Sequence, residues 1–199
     1  MTELQEIRQQ AYNELDKLGY TKLFDNRPKD AIPPVWEDLW FLYQKVRERQ
    51  PRWILEFGSG CSTILFAKAL GEYKSSVLLS MESEPIWLLN TAKSMPWDLW
   101  PNLQLIFAPC AMDENEGLAV YNCVPTDKIS FLYLDGPELT DNVKITYNPI
   151  IWERVFADNF YMVVDGRPET VNFLEKHLKG KYDIQRNYEE NRTTFERIG

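Results

Sequence analysis

Residues 53–63 read WILEFGSGCST. A short apolar run that ends in glycines is typical of a buried strand in a parallel sheet, and the apolar pattern of the next stretch, 62–70, predicts a helix. Glycine lets a chain turn sharply and lets its backbone approach a ligand closely, while the first turn of a helix presents free N–H groups. The stretch therefore predicts a strand–turn–helix unit whose turn binds a ligand.

The same alternation of buried strands and helices continues along the chain. Strands are predicted at 75–82, 102–108, 128–135 and 159–165, and helices at 84–95, 148–156 and 168–179. A long loop containing Tyr121 separates the third and fourth strands. Two polar, alternating segments around EENR predict an antiparallel C-terminal hairpin. Together these elements predict an α/β fold with a doubly wound, Rossmann-like sheet that is mostly parallel.

The first 50 residues do not follow this alternation and instead read as two helices. Apolar residues recur at helical spacing from Leu4 to Leu18 and stop before Gly19, a suitable C-terminal cap. The second helix is predicted to begin near Pro34. Residues 1–50 are therefore predicted to be a helical extension packed on a core domain of residues 51–199.

Composition and charge narrow the function classes. The chain has 199 residues, 44% of them apolar and 26% charged, as in a single globular domain. A formal net charge of −8 disfavours binding to nucleic acid. No apolar run is long enough to span a bilayer, and the N-terminus lacks the apolar core of a signal peptide. We expect a cytoplasmic protein without a membrane partner; its oligomeric state is left open, a homodimer included.

Cysteine and histidine content excludes two kinds of site. The three cysteines have no CxxC spacing, and His177 is the one histidine. Neither a disulfide framework nor a zinc site is expected.

Polar residues follow four of the five predicted strands. In doubly wound sheets, ligands bind beyond the carboxyl ends of the strands, where the strand order reverses. Glu82 ends the second strand 22 residues after Gly60, the spacing of a carboxylate that binds a ribose diol. Asp135-Gly136 and Asp165-Gly166 follow the fourth and fifth strands. Each residue alone could be a turn former or a helix cap, but their joint register favours a nucleoside cofactor site.

The turn itself discriminates between cofactor classes. A dinucleotide fingerprint needs glycine where Thr63 stands, and no GK[ST] follows the glycines as a phosphate-binding loop would require. The turn resembles the first motif of class I S-adenosylmethionine-dependent methyltransferases, an acidic residue followed by G-x-G-x-G. Glu56, Gly58 and Gly60 match that motif, and Ser62 replaces its last glycine. EFGSGCST and FLYLDGP are similar to a branch with GSG-x-ST, and the resemblance covers residues from about 52 to 199.

This resemblance implies a role for each matching residue. Gly58, Ser59 and Gly60 would lie against the methionine and ribose parts of S-adenosylmethionine, Glu56 would hold its amino end, and Glu82 its ribose hydroxyls. The neighbouring serines complete the predicted cofactor-binding set, Ser62 and Ser83. Where family members carry a polar adenine contact after the third strand, this chain offers weaker candidates, namely Cys110, Ala111 and Met112.

Asp135 would lie close to the transferred methyl and is the candidate catalytic base. Candidate residues for a small-molecule substrate are Trp36, Trp40, Asp165 and Arg167. Cation-dependent relatives carry an Asp-Asn pair after the fifth strand; Gly166 replaces the Asn here, so no tightly bound metal is expected. Two alternatives stay open: an NAD-type oxidoreductase and a cofactor-binding protein without turnover.

Overall fold

A computed structural model describes residues 2–29, 31–73, 75–125 and 128–198. Ten strands and six α-helices occur in these residues. The strands are β1 Trp53–Phe57, β2 Val77–Glu82, β3 Leu103–Phe107, β4 Cys110–Asp113, β5 Leu118–Tyr121, β6 Ile129–Leu134, β7 Ile145–Thr146, β8 Phe156–Asp165, β9 Tyr182–Asn187 and β10 Arg192–Arg197. The helices are α1 Glu3–Lys17, α2 Trp36–Arg49, α3 Cys61–Leu70, α4 Pro85–Ser94, α5 Asn148–Ile151 and α6 Pro168–Leu178.

Seven strands form the main sheet in the order β3-β2-β1-β6-β8-β10-β9. The first five are parallel, whereas β10 is antiparallel to both β8 and β9. The predicted doubly wound sheet and the C-terminal hairpin are therefore confirmed. The chain leaves β1 toward β2 on one side and returns from β3 to β6 on the other, so the strand order reverses between β1 and β6.

The region predicted as one long loop contains two strands, β4 and β5, which join β7 in a second, three-stranded sheet in the order β4-β5-β7. The loop prediction was wrong here because the turn signal was missed. The Asp113 side chain accepts hydrogen bonds from the backbone N–H groups of Asn115 and Glu116, at 3.0 and 3.2 Å. Gly117 then adopts a left-handed φ of +69°. A short Asx-type turn thus joins two strands that are themselves only four residues long.

The helix predicted over 148–156 is also shorter than expected. Its α-helical part ends at Ile151 and a 3-10 turn follows over Glu153–Val155. The fifth parallel strand, β8, begins at Phe156 instead of Asn159, because Phe156 already pairs with Ile129 of β6. Tertiary pairing has overridden the local helical pattern.

Both faces of the main sheet are covered. One face packs against α2 and α3 in a cluster that joins Leu15, Leu42 and Val46 of the N-terminal helices to Phe131 and Tyr133 of β6. The N-terminal helices therefore share the core of the sheet, while the boundary at residue 50 stays a prediction. In the described residues, no helix is long and apolar enough to cross a bilayer.

The turns after β1 and β6 touch through their backbones. Gly58 adopts a φ of +83°, its N–H donates to Met81 O at 2.9 Å, and Asp135 N–H donates to Phe57 O at 3.0 Å. A Cβ added to Gly136 would lie 2.4 Å from Gly58 N and 2.4 Å from the Tyr121 hydroxyl. The two turns can approach this closely only without a side chain at Gly136.

We expect Gly136→Ala to lower the free energy of unfolding by about 1–3 kcal/mol, because the new methyl overlaps backbone atoms that cannot rotate away. Gly60→Ala is the matched control, since a Cβ at Gly60 would meet no heavy atom within 4 Å. Urea denaturation of the two variants measures the difference. Equal stabilities would show that the turns can separate without cost.

Candidate active site

A cavity of about 380 Å³ lies beyond the carboxyl ends of the parallel strands. It brings together eight of the residues predicted from the sequence, namely Gly58, Ser59, Gly60, Ser62, Glu82, Asp135, Asp165 and Arg167. Residues of α2 and of the described part of the loop before it, from Arg27 to Leu42, supply part of its wall. These eight residues therefore lie together at the edge where the switch-point rule predicts a site, and their role as that site stays a prediction.

Glu82 holds the glycine turn in place. Its Oε2 accepts hydrogen bonds from the N–H of Ser59 at 2.7 Å and from the Ser59 hydroxyl at 3.0 Å. Its Oε1 accepts from the N–H of Glu84 at 2.9 Å. A carboxylate has about four acceptor positions, so Glu82 keeps acceptor capacity for a diol beside the cavity.

Glu56 lies fully buried beneath the same turn. Its Oε2 accepts hydrogen bonds from the hydroxyls of Thr63 and Ser80, both at 2.6 Å. Burial raises the pKa of Glu56 to about 7, and the hydroxyls of Ser62, Ser80 and Thr63 only partly oppose that rise. Its Oε1 has no hydrogen-bond partner among the described residues. Glu56 thus acts first as an anchor for the start of α3, through Thr63.

Asp135 faces the cavity beside Arg167. Its side chain is open to the cavity, yet the surrounding protein desolvates the carboxyl group. That desolvation, together with the charge of Asp165, raises the pKa of Asp135 to about 8, while Arg167 opposes the rise. The Arg167 guanidinium donates to the backbone carbonyl of Asp135. Asp135 is therefore poised to exchange a proton near neutral pH.

Asp165 is held on the other side of Arg167. The Tyr133 hydroxyl donates to its Oδ2 at 2.8 Å. Burial raises the pKa of Asp165, against the hydrogen bond from Tyr133 and the charges of Arg192 and Arg167. Arg167, which follows β8 with a left-handed φ of +54°, acts on both predicted carboxylates through its charge, while its guanidinium donates to the backbone carbonyl of Asp135.

A third carboxylate, Asp38 of α2, lines the same cavity and was missed by the sequence analysis. Its Oδ1 accepts a hydrogen bond from Arg192 at 3.0 Å. Burial and the charge of Asp165 raise the pKa of Asp38 to about 7. The sequence did contain a signal for Asp38. It is two positions from both Trp36 and Trp40, which places it about 200° around the helix from each of them, on the side away from the tryptophans.

The two tryptophans predicted to bind substrate do not line the cavity. The Trp36 ring packs edge-on against Tyr12, with centroids 5.1 Å apart, and the Trp40 ring stacks on Tyr43 at 5.5 Å. Both belong to the packing around the N-terminal helices. The aromatic face of α2 therefore faces the protein, and its other face, with Leu39 and Leu42, lines the cavity.

The weak adenine candidates also lie outside the cavity. Cys110, Ala111 and Met112 form β4, and Met112 is 42% exposed. Burial, with the charge of Glu82 adding to it, raises the pKa of the Cys110 thiol to about 12. The cavity instead has three unpredicted residues of α4 in its wall, Trp87, Asn90 and Thr91. The sequence indicated these residues only through their position on the helix that directly follows Glu82.

Several buried polar atoms around the cavity have no hydrogen-bond partner among the described residues. They are Glu56 Oε1, Ser83 Oγ, Asn90 Nδ2, Tyr121 Oη, and Nε and Nη1 of Arg167. Buried polar groups without partners are rare in native proteins. Their concentration at one edge of the sheet fits a site that takes a polar ligand.

Among the described residues, no group of three or more His, Cys, Asp or Glu side chains could hold a metal ion. Asp135 and Asp165 are the two carboxylates that a cation would need, and Arg167 interacts with both. The expectation of a site without tightly bound metal stays a prediction, now with a resident cation in Arg167 as its physical reason.

Solved structures share this fold over the whole chain. An O-methyltransferase of Streptomyces achromogenes involved in tomaymycin synthesis, solved with S-adenosylmethionine, is 16% identical, with 100% of each chain covered and a TM-score of 0.61. A methyltransferase of Geobacter sulfurreducens is 13% identical, with 95% of this chain and 89% of that chain covered and a TM-score of 0.61. The O-methyltransferase of Bacillus cereus, solved with S-adenosylhomocysteine, is 12% identical, with coverages of 96% and 91% and a TM-score of 0.57.

No protein-family model matches the sequence, and no curated protein is significantly similar to it. The fold resemblance to class I S-adenosylmethionine-dependent methyltransferases is confirmed by the structural comparison. The assignment to the branch with GSG-x-ST stays a prediction.

The raised pKa values predict how stability depends on pH. Asp38, Glu56 and Asp135 have folded-state pKa values of about 7, 7 and 8, above their ordinary ones. Their contribution to stability is thus fully present below about pH 4, is lost progressively as pH rises to 7–8, and changes little above that. Asp135→Asn should make the decline in melting temperature between pH 5 and 8 shallower, because asparagine does not ionise.

Glu138→Gln is the control, since it removes one carboxylate from the cavity wall without touching the buried network. Calorimetric melting at several pH values measures both variants. A decline in Asp135→Asn as steep as that of the unmodified protein would contradict a raised pKa at Asp135.

Proposed function

We propose that this protein is an S-adenosylmethionine-dependent methyltransferase that acts on a small molecule. One observation carries the proposal: the glycine turn, Glu82 and Asp135 surround a single cavity in a fold shared with methyltransferases over the whole chain. Glu82 fixes Ser59, and the close approach of Gly58 and Gly136 sets Asp135 beside the turn.

The residues present fit the cofactor. Glu82 would accept hydrogen bonds from the ribose hydroxyls, with Ser83 Oγ and Asn90 Nδ2 as unpaired polar atoms beside it. Gly60 leaves open space where a side chain would stand. Glu56 would contribute negative charge beneath the turn, toward the cationic amino end. The bound cofactor would supply a methyl group that is already activated by its sulfonium charge.

The chain's own residues then have three tasks. Asp135 takes the proton that leaves the substrate nucleophile, for which a pKa of about 8 is well matched. Asp165 and Arg167 orient the polar part of the substrate at the cavity wall. The segment before α2, with Ile32, covers the glycine turn and keeps water from the reacting groups. Alignment and exclusion of water supply most of the rate enhancement in such a transfer.

The cavity wall is also suited to a small substrate. Val35, Leu39 and Leu42 contribute apolar surface to the same cavity wall as the carboxylates, and ligand sites that combine apolar walls with a few polar groups are typical of small molecules. The net charge of −8 argues against a nucleic-acid substrate. An NAD-type oxidoreductase is not favoured, because the Thr63 hydroxyl fills the place of the third glycine and donates to Glu56.

The first test is ligand binding. S-adenosylmethionine and S-adenosylhomocysteine should both raise the melting temperature, whereas NAD should not; at 100 times the dissociation constant, binding adds about 2.7 kcal/mol. Gly60→Val should abolish both shifts while the free protein keeps its stability, because the added side chain projects into open space. Gly60→Ala, with one methyl, should weaken binding less. Stabilisation by NAD alone would overturn the proposal.

Asp135→Asn removes the charge of Asp135 but keeps nearly the same size and shape at this position. S-adenosylmethionine carries a sulfonium charge that S-adenosylhomocysteine lacks. At pH 9 the substitution should therefore weaken the binding of S-adenosylmethionine by about tenfold, or about 1.4 kcal/mol, and leave the binding of S-adenosylhomocysteine unchanged. Calorimetric titration with both ligands measures this ratio. Equal losses for the two ligands would remove Asp135 from the neighbourhood of the methyl group.

A further inference from the structure

Asp38 and Arg192 link helix α2 to the edge of the sheet at which the cavity lies. Arg192 begins β10 and pairs in register with Asp165, the last residue of β8, so the two side chains lie on the same face of the sheet as direct neighbours. The guanidinium also donates to Asp38 of α2 at 3.0 Å. Arg192 therefore stands between two carboxylates that both line the cavity.

The position of Arg192 is fixed from several sides. Its guanidinium lies 3.6 Å from the centroid of the Phe41 ring on α2, and it also pairs with Glu190 in the hairpin turn. Its side chain is only 7% exposed. A guanidinium that is buried, stacked and paired in this way has little freedom to leave.

The charges at this edge alternate along one line. Asp135 is followed by Arg167, then Asp165, then Arg192, then Asp38; each arginine interacts electrostatically with the carboxylates on either side. Three carboxylates face two guanidinium groups along this line, and Arg192 also pairs with Glu190. Of the two ends, Asp38 is ion-paired with Arg192, whereas the Asp135 carboxylate forms no ion pair within the described residues.

Other charged groups near Asp38 act outside this line. Glu37 precedes it on α2, and Arg8 of α1 pairs with Glu37 at 2.5 Å; both affect Asp38 less than Asp165 and Arg192 do. The Tyr133 hydroxyl, which lies outside this line, donates to Asp165. The two neighbours that dominate Asp38 are thus the members of the line.

We propose that Asp38 and Arg192 are positioning residues of this site, which fix the Asp165 carboxylate and balance its charge from the N-terminal helix. The inference rests on the proposed function for its meaning in methyl transfer. Neither residue needs to touch the substrate: Arg192 acts through Asp165, and Asp38 acts through Arg192.

The experiment is a carbon-13 NMR titration of the aspartate side-chain carboxyls in the ligand-free protein. Asp38→Asn assigns the Asp38 resonance. Asp165→Asn should lower the titration midpoint of Asp38 by about one pH unit, because a neighbouring negative charge is lost. Arg192→Gln should raise the midpoint of Asp38 by a similar amount, because a neighbouring positive charge is lost. Glu37→Gln, which removes a carboxylate from the same helix, should lower it less, because Glu37 affects Asp38 less than Asp165 does.

Opposite shifts are the result that a purely structural role would not produce. Shifts in the same direction, or none, would overturn the inference. Asp165→Asn preserves the size of the side chain and one acceptor oxygen, so it decides the question even if Arg192→Gln does not fold. Binding of S-adenosylmethionine to the unmodified protein is measured separately. Its absence would overturn the proposed function while leaving the carboxyl titration interpretable.

Discussion

The contact between the Gly58 and Gly136 turns is the constraint on which the site depends. Two strands that are neighbours in a parallel sheet end at the same edge, but side chains normally keep the loops beyond them apart. Here the loops touch through backbone atoms, since neither residue has a Cβ. Ser59 and Asp135, the residues next to the two glycines, consequently face one cavity instead of two separate grooves.

The poorly solvated carboxyl groups at this edge of the sheet lower the stability of the folded protein when they ionise. Asp38, Glu56, Asp135 and Asp165 are all less well solvated than in an unfolded chain, and their pKa values are raised for that reason. Polar groups that reduce stability persist where they serve binding or catalysis. An edge with excess negative charge attracts a cationic ligand and disfavours phosphate-rich ones. The pH dependence of stability and the charge that a ligand would meet at this edge thus arise from the same carboxylates.

Much of the fold and part of the site could be predicted from the sequence. Apolar runs and glycines located the five parallel strands, and the switch-point rule gathered Glu82, Asp135 and Asp165 at one edge. The second sheet was missed because β4 and β5 are short, and only the Asp113 turn marks them. Asp38 was missed because the substrate contacts were predicted from the aromatic residues of α2, which lie on a different face of that helix. Arg192 could not be found, since its partner depends on the register of β10 against β8.

The hairpin that carries Arg192 affects how the site forms during synthesis. Asp38 and Arg192 are 154 positions apart, and a chain is synthesised from its N-terminus. All five parallel strands therefore leave the ribosome before the arginine that pairs with Asp38. In that interval the carboxylates of α2 and β8 repel each other without a cation between them. Docking of the hairpin places Arg192 beside Asp38 and Asp165, so the charges at this edge are balanced only once the last strands of the chain have paired.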